Sequence, residues 1–392
     1  MENKTVKKNK IYLKSFGCQM NLRDSEVVRG MLEKEGFKFV DDNKKADIVI
    51  LNTCAVRQHA EDKVWSEIGA IKPGKIIGLI GCMAQNHKES AFERAPALSF
   101  VVGPGDIAKI PEIIKRLLKD WGHSPKSGDS PQSISPRSLY ESRIWETDNS
   151  CRPEEIYHTG FYQDKKHAYV VISEGCSNFC SYCVVPFARG SLRHRKFTDI
   201  LEEINQAVAK GISKITLLGQ NVSAYKDGKK DFIKLLETVN AMDGVKELTF
   251  MTSHPKDTTV ELFKAMATLD KVKKYLHLPL QSGSDKILKL MNRRYSSKTY
   301  LNLIKDYRKI VKDGILTTDI IVGFPSESDE DFKDTLALFK EIEFAGAFIF
   351  KYSPRPDTAA SKMPDDVTLA LKEKRHKIIL EIQRKNSKKY KW

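Results

Sequence analysis

Three cysteines, Cys176, Cys180 and Cys183, stand in a C-x3-C-x2-C arrangement inside Glu174–Gly190, directly after the apolar run Tyr169-Val-Val-Ile172. The run reads as a strand, so the thiols lie on a loop leaving a strand end. Three thiolates on one short loop can hold three irons of a cubane and leave the fourth without a protein ligand. An open iron is what a substrate or cofactor needs if it is to bind the cluster directly. A structural zinc loop is the other chemistry open to this spacing, but such sites close with four ligands, and no His or Cys follows at finger spacing.

A second trio lies upstream. Ile11-Tyr-Leu-Lys-Ser-Phe-Gly ends in Cys18, Asp47-Ile-Val-Ile-Leu-Asn-Thr in Cys54, and Lys75-Ile-Ile-Gly-Leu-Ile-Gly in Cys82. Each cysteine closes an apolar run and opens a helical stretch. The first such stretch, from about Asp24 to Glu35, has Val27 with Met31 and Val28 with Leu32 at one-face spacing, and Gly36 placed to end it. Continuous apolar runs separated by helices predict a parallel sheet covered on both faces, a doubly wound α/β domain. Such sheets bind ligands at the carboxyl ends of their strands, so three cysteines distant in sequence would meet there as a second metal site. Read singly, each would be a small buried core residue.

The elements that must position the first trio follow it. Strand-like runs at 214–219, 247–252, 275–280, 317–322 and 347–352 alternate with helical stretches. With the run before Cys176 they make six β/α units, which predicts a partial barrel where eight would close one. Polar and small residues follow each run, where barrel enzymes build their sites. Gln220 and Asn221 could bind amino or carboxylate groups of a small cofactor, with Ser253 beside them on the next strand end. Gln281, Ser282 and Asp319 could hydrogen-bond a ribose, and Gly323 could let backbone approach an adenine ring. His254, before a proline at a strand end, reads as readily as structural. Arg189, Arg193, His194, Arg195 and Lys196 read as a solvated charged face, with phosphate or carboxylate contact as the functional alternative.

The 392 residues suit two domains. The organisation expected is an N-terminal domain at 1–120 carrying the upstream trio, a linker at 121–160, a partial barrel at 161–365 and a basic helix at 366–392. Ser, Pro and charged residues dominate 122–152, where Cys151 reads as an incidental thiol. Lys and Arg total 66 against 51 Asp and Glu, a formal charge of +15 that favours a polyanionic partner, nucleic acid first. Six of the seven cysteines sit at strand ends, which suits metal ligation in a reducing compartment better than a disulfide framework. No signal-like or membrane-spanning run occurs, so a cytoplasmic protein is expected. The end, Lys372 to Trp392, reads as a helix with a basic tail that either contacts nucleic acid or only solubilises.

Taken together, Gly17-Cys-Gln-Met-Asn21, Asn52-Thr-Cys-Ala-Val-Arg57, Gly81-Cys-Met-Ala-Gln85, Glu174–Gly190, Leu218-Gly-Gln-Asn-Val222, Thr252-Ser-His-Pro255, Leu278–Asp285, Asp319–Pro325 and Tyr352-Ser-Pro-Arg-Pro356 resemble the radical S-adenosylmethionine methylthiotransferases. The likeness runs from about residue 11 to about 385. Gln-Met-Asn after Cys18 and Val-Arg after Cys54 resemble the branch acting on isopentenyladenosine-37 of tRNA. Other branches modify threonylcarbamoyladenosine in tRNA or an aspartate of a ribosomal protein.

The resemblance implies two 4Fe–4S clusters. Cys176, Cys180 and Cys183 would hold the one that binds S-adenosylmethionine, and Cys18, Cys54 and Cys82 the one that carries sulfur, the two facing one cavity. It implies hydrogen abstraction at C2 of the target adenine, which explains the lack of an acid–base dyad. The partners implied are a tRNA anticodon loop, an external electron donor and a sulfur donor, with a monomer expected. Phe179, Phe187 and Trp65 are candidate stacking residues for the base, though core packing is the better reading of each. The family usually continues into a small RNA-binding β-barrel. This sequence stops at Trp392, where that barrel would begin, so weaker tRNA affinity is expected than in relatives that carry it. A catalytically idle iron–sulfur or RNA-binding protein is the reading from another class.

Overall fold

Strands whose successive residues are all apolar have no face to offer water, and two of the upstream runs are of this kind. In a computed structural model, which describes residues 9–55, 58–121, 143–149 and 152–390, both are wholly buried. Cys151 and the pair Val56–Arg57 lie outside the described residues. The chain divides into two units, Met1–Gln163 with Phe187–Gly190, and Asp164–Pro186 with Ser191–Trp392.

The first unit is a six-stranded parallel sheet. Its strands are β1 (Lys10–Ser15), β2 (Lys38–Phe39), β3 (Ile48–Thr53), β4 (Ile76–Gly81), β5 (Phe100–Val102) and β6 (Ile144–Glu146), in the order β2-β1-β3-β4-β5-β6. The helices are α1 (Gln19–Lys34), α2 (Gln58–Ala70), α3 (Cys82–His87), α4 (Ala91–Arg94) and α5 (Ile110–Trp121). One face of the sheet, through Val49, Leu51, Ile77, Leu79 and Val101, packs on Val64, Ile68, Met83 and Phe92. The other face has a tight spot. Gly78 pairs with Phe100, and a Cβ at residue 78 would lie 2.0 Å from that ring. Gly78→Ala is therefore expected to cost about 1–3 kcal/mol in denaturant unfolding, and Phe100→Leu in the same chain should recover part of it.

Two expectations change here. Helix α1 begins at Gln19, not near Asp24: Arg23 and Asp24 stand four and three residues before Val27 and interrupt the apolar spacing there, although Met20 in the first turn is buried. The stretch 121–160 is not all linker. Ile144–Glu146 adds an edge strand to β5, and Glu154–Thr159 forms a turn of helix laid on α1. Arg23 in α1 donates to the carbonyl oxygens of Tyr157 (3.0 Å) and Phe161 (3.1 Å), and Gly30 leaves the room that Thr159 fills.

The second unit holds six parallel strands in chain order: β7 (His167–Val171), β10 (Lys214–Leu218), β13 (Glu247–Met251), β14 (Tyr275–His277), β15 (Ile315–Val322) and β16 (Gly346–Lys351). Two short antiparallel pairs intervene, β8 (Ser173–Glu174) with β9 (Arg193–His194) and β11 (Lys226–Asp227) with β12 (Lys230–Asp231). The six strands form two sheets of three, with a parallel bridge between Leu248 and Val272 linking β13 to the approach of β14. Helices separate them, which is the partial barrel expected. The expected C-terminal helix forms over Leu369–Ser387 and is docked on β16. Buried Arg375 donates to the Glu327 carboxylate at 2.7 Å and to Asp329 at 2.8 Å, and Gln383 donates to the carbonyl oxygens of Phe344 and Ala345. Among the described residues no helix is long and apolar enough to cross a membrane.

Candidate metal and cofactor sites

In the first unit Cys18 follows β1, Cys54 follows β3 and Cys82 follows β4. In this strand order the chain reverses direction between β1 and β3, so two of the three cysteines flank the switch point where open α/β sheets bind ligands. Glycine makes the approach possible. Gly17, at φ +124°, has no side chain where a Cβ would lie 2.4 Å from that of Cys54, and Gly81, at φ +93°, leaves room for Asn52. A pair of asparagines latches the first two loops: Asn21 Nδ2 donates to Asn52 Oδ1 (2.9 Å) and the Thr53 carbonyl (3.1 Å), and Asn52 Nδ2 donates to the Asn21 carbonyl (2.8 Å). Thr53 Oγ1 donates to the carbonyl of Ile80 at 2.9 Å, tying in the third strand.

The electrostatics favour thiolate at one member of the trio. A hydrogen bond with Cys54 is the main cause that brings the Cys18 thiol down to about 6, aided by the charge of Arg189 and by backbone N–H groups at the start of α1. Burial pushes Cys82 up, with Arg189 opposing it.

Arg189 had read as part of a solvated face. It is buried, and its Nη2 donates to Asp24 Oδ2 at 2.7 Å, while Arg152 Nη1 donates to Asp24 Oδ1 at 2.7 Å. Burial alone would raise the Asp24 carboxyl, but the two guanidinium groups outweigh it and hold it below the usual carboxylate range. Arg195 is buried too, in ion pairs with Asp199 and Glu203. Asp24 lies 165 residues from Arg189, so nothing local in the sequence marks that arginine as buried.

In the second unit Cys176, Cys180 and Cys183 occupy the loop after β8. Phe179, exposed and at φ +48°, turns the chain between the first two. Hydrogen bonds from elsewhere in the unit hold the loop, among them Ser181 N to the Met291 carbonyl (3.0 Å), Ser181 Oγ to the Leu290 carbonyl (2.8 Å), Asn292 Nδ2 to the Phe179 carbonyl (2.9 Å) and Ala360 N to the Ser181 carbonyl (2.7 Å). Burial raises the Cys176 thiol and pushes Cys183 up to about 12. Among the described residues no three His, Cys, Asp or Glu side chains converge as one metal ion would require. Three thiols on one loop are the donor set that a cubane with one open iron takes.

Around the strand ends lie buried polar atoms with no partner among the described residues: Ser173 Oγ, Gln220 Oε1, Asn221 Oδ1, Ser253 Oγ and Gln281 Oε1. Each such atom is costly unless something else bonds it, so five in one rim fit a polar ligand. Thr252 and Gln281 both sit at positive φ (69° and 70°), backbone strain of the sort that collects at ligand sites. Ser173 was missed in the sequence, where it reads as one residue of a strand end. Other expected residues are committed elsewhere. Ser282 Oγ lies 3.2 Å from Thr335 Oγ1 and accepts from Ser284 N, which turns it toward the helix Asp329–Ile342. Gly323 N donates to Glu327 Oε2 at 2.6 Å, and the Lys372 side chain fills the space a Cβ would need. Asp319 Oδ2 lies 3.3 Å from His277 Nε2, leaving the carboxylate partly exposed. His254 accepts from Lys256 N through Nδ1 and burial beside Arg293 and Lys256 brings it to about 2, while its Nε2 is buried without a partner among the described residues.

Two family models match the chain: the Radical SAM superfamily over residues 170–339 and Uncharacterized protein family UPF0004 over residues 10–103. A tRNA-2-methylthio-N(6)-dimethylallyladenosine synthase from a Thermoanaerobacter species is 41% identical over 387 residues, covering 96% of this chain and 78% of its own. One of the same name from Fervidobacterium nodosum is 40% identical over 380 residues, with coverage of 96% and 83%. Among solved structures, a radical S-adenosylmethionine methyltransferase from Kitasatospora setae with cobalamin and a 4Fe–4S cluster bound shares the fold, with a TM-score of 0.59 at 14% identity, covering 90% of this chain and 77% of that one.

Proposed function

From the premise that the chain belongs to the radical S-adenosylmethionine methylthiotransferases, we infer that it methylthiolates C2 of N6-(dimethylallyl)adenosine-37 in tRNA with two 4Fe–4S clusters, one on each cysteine trio. The chain is a tRNA methylthiotransferase that uses S-adenosylmethionine and an iron–sulfur cluster. The finer reading rests on one observation: each unit carries three cysteines at strand ends, each trio one ligand short of closing a cubane.

When bound, the cluster at Cys176, Cys180 and Cys183 supplies the electron that cleaves S-adenosylmethionine, the source of a radical able to take hydrogen from an unactivated C–H bond. The residues of this chain bind and orient. Ser173, Gln220, Asn221, Ser253 and Gln281 offer unpaired polar atoms to the cofactor's amino, carboxylate and hydroxyl groups. Asp319, held by His277, is placed to accept from a ribose hydroxyl. Ser282 and Gly323 shape the rim by packing and are left out of the cofactor contacts. The barrel wall excludes water, which protects a radical from side reactions. The target base must leave its stack to enter, as an anticodon-loop purine can. The cytoplasm, an external electron donor and a sulfur donor complete the reading.

The test is anaerobic reconstitution with iron and sulfide, reduction, and measurement of 5′-deoxyadenosine together with 2-methylthio-N6-(dimethylallyl)adenosine in tRNA. About eight irons per chain and both products are expected. No deoxyadenosine would overturn the radical reading. Deoxyadenosine without tRNA product would move the acceptor to another methylthiotransferase substrate. About four irons would remove one cluster.

A further inference from the structure

We propose that Arg293 is a positioning residue for the cluster at Cys176, Cys180 and Cys183, whose hydrogen bond to the Cys180 sulfur makes that cluster easier to reduce. The inference rests on the cluster assignment above.

The argument starts from a charge without a counterion. Arg293 is only 7% exposed, and among the described residues no carboxylate pairs with it. Its Nε donates to Tyr295 Oη at 2.9 Å, its Nη2 to the Pro279 carbonyl at 3.0 Å, and its Nη1 to Cys180 Sγ at 3.3 Å. Every other buried arginine described above meets a carboxylate: Arg23 with Glu26, Arg152 and Arg189 with Asp24, Arg195 with Asp199 and Glu203, and Arg375 with Glu327. A buried cation set against a phenol, a carbonyl and a thiol is expensive. It becomes favourable when the thiol is a thiolate bound to iron, because the cluster with its thiolates is then the missing anion.

Position is fixed by the same segment. Leu290, Met291 and Asn292 hold the cysteine loop through the hydrogen bonds to Ser181 and Phe179, and Arg293 is the next residue. The guanidinium therefore meets Cys180 with little freedom to retreat. Tyr295 Oη, which receives the Nε bond, itself donates to the Leu280 carbonyl at 2.8 Å, the residue before Gln281. One rigid unit thus spans the cluster loop and the strand end that carries an unpaired cofactor atom.

Hydrogen bonds to the sulfurs and added positive charge are among the levers that set an iron–sulfur potential, and both favour the reduced state. This helps the electron enter the cluster. Lysine would keep the charge but lose the planar fork that meets three acceptors at once.

The experiment is a redox titration of the anaerobically reconstituted full chain, following by EPR the signal that changes when S-adenosylmethionine is added. Arg293→Gln is expected to keep its iron and to hold about tenfold less reduced cluster at a fixed applied potential, a negative shift of about 59 mV for one electron. Arg293→Lys should fall between Arg293→Gln and wild type. Tyr295→Phe, which leaves the sulfur contact in place, should titrate as wild type. Wild-type potentials in both Arg293 variants, with iron retained, overturn the proposal and leave the function standing. If Arg293→Gln loses iron, Arg293→Lys decides: a shifted potential supports the proposal and an unshifted one overturns it. A wild-type chain with no signal responsive to S-adenosylmethionine overturns the cluster assignment and this inference with it.

Discussion

Cys180→Ala is expected to abolish 5′-deoxyadenosine formation while leaving about half of the bound iron, and Cys82→Ala is expected to do the reverse. A cubane held by three thiolates has no spare protein ligand, so removing one leaves two and the cluster does not persist. Cys180 is the most enclosed of its trio and receives the Arg293 hydrogen bond, so its loss also strands a buried donor, at about 1–3 kcal/mol. Cys82 stands in the other unit, after β4. Its replacement should retain deoxyadenosine and lose the methylthio product, with about four irons remaining. Iron analysis and nucleoside chromatography on the two variants read all of this. Loss of deoxyadenosine in both, or methylthio product surviving in Cys82→Ala, would refute the division of labour between the trios.

The six ligand candidates were legible because each is bound to a strand end, and strand ends are local: an apolar run, then a cysteine, then helix. The alternation of the second unit was legible for the same reason, and all six expected strands formed. What was not legible depends on partners far along the chain. Asp24 meets Arg152 and Arg189 across 128 and 165 residues, and nothing around Arg189 in sequence distinguishes a buried guanidinium from a solvated one. The edge strands β2 and β6 are two and three residues long, too short for any period to register. Ser282 and Gly323 sit where rim residues should, yet Thr335 and Lys372, from helices later in the chain, claim them. Type and spacing located the candidate site, while tertiary contacts decide which of its polar atoms are left without a partner.

Asp24→Ala is the substitution expected to cost most in stability outside the cysteines. Asp24 is 1% exposed and is the shared carboxylate of two buried arginines. Such a triad contributes little against an apolar replacement of the whole, but removing one member leaves charges with no compensation, at about 3–5 kcal/mol. Asp24→Asn should cost nearly as much, since it keeps the shape and loses the charge. The pH dependence has a fixed sign. The folded carboxyl lies below its unfolded value, so the contribution is complete above the unfolded pKa of about 3.9 and fades as pH falls through the folded one. Wild type should therefore lose stability in acid by a component that Asp24→Asn lacks. Hydrogen exchange along α1 and β1 reads the effect in the unit that holds the triad. A loss under about 1 kcal/mol would show that the arginines find other compensation. The all-apolar variant Asp24→Leu/Arg152→Met/Arg189→Met separates two roles that the single change confounds. If it refolds to near wild-type stability but binds less iron at Cys18, Cys54 and Cys82, then Arg189 is held in place for its charge beside those thiols, and the fold could do without it.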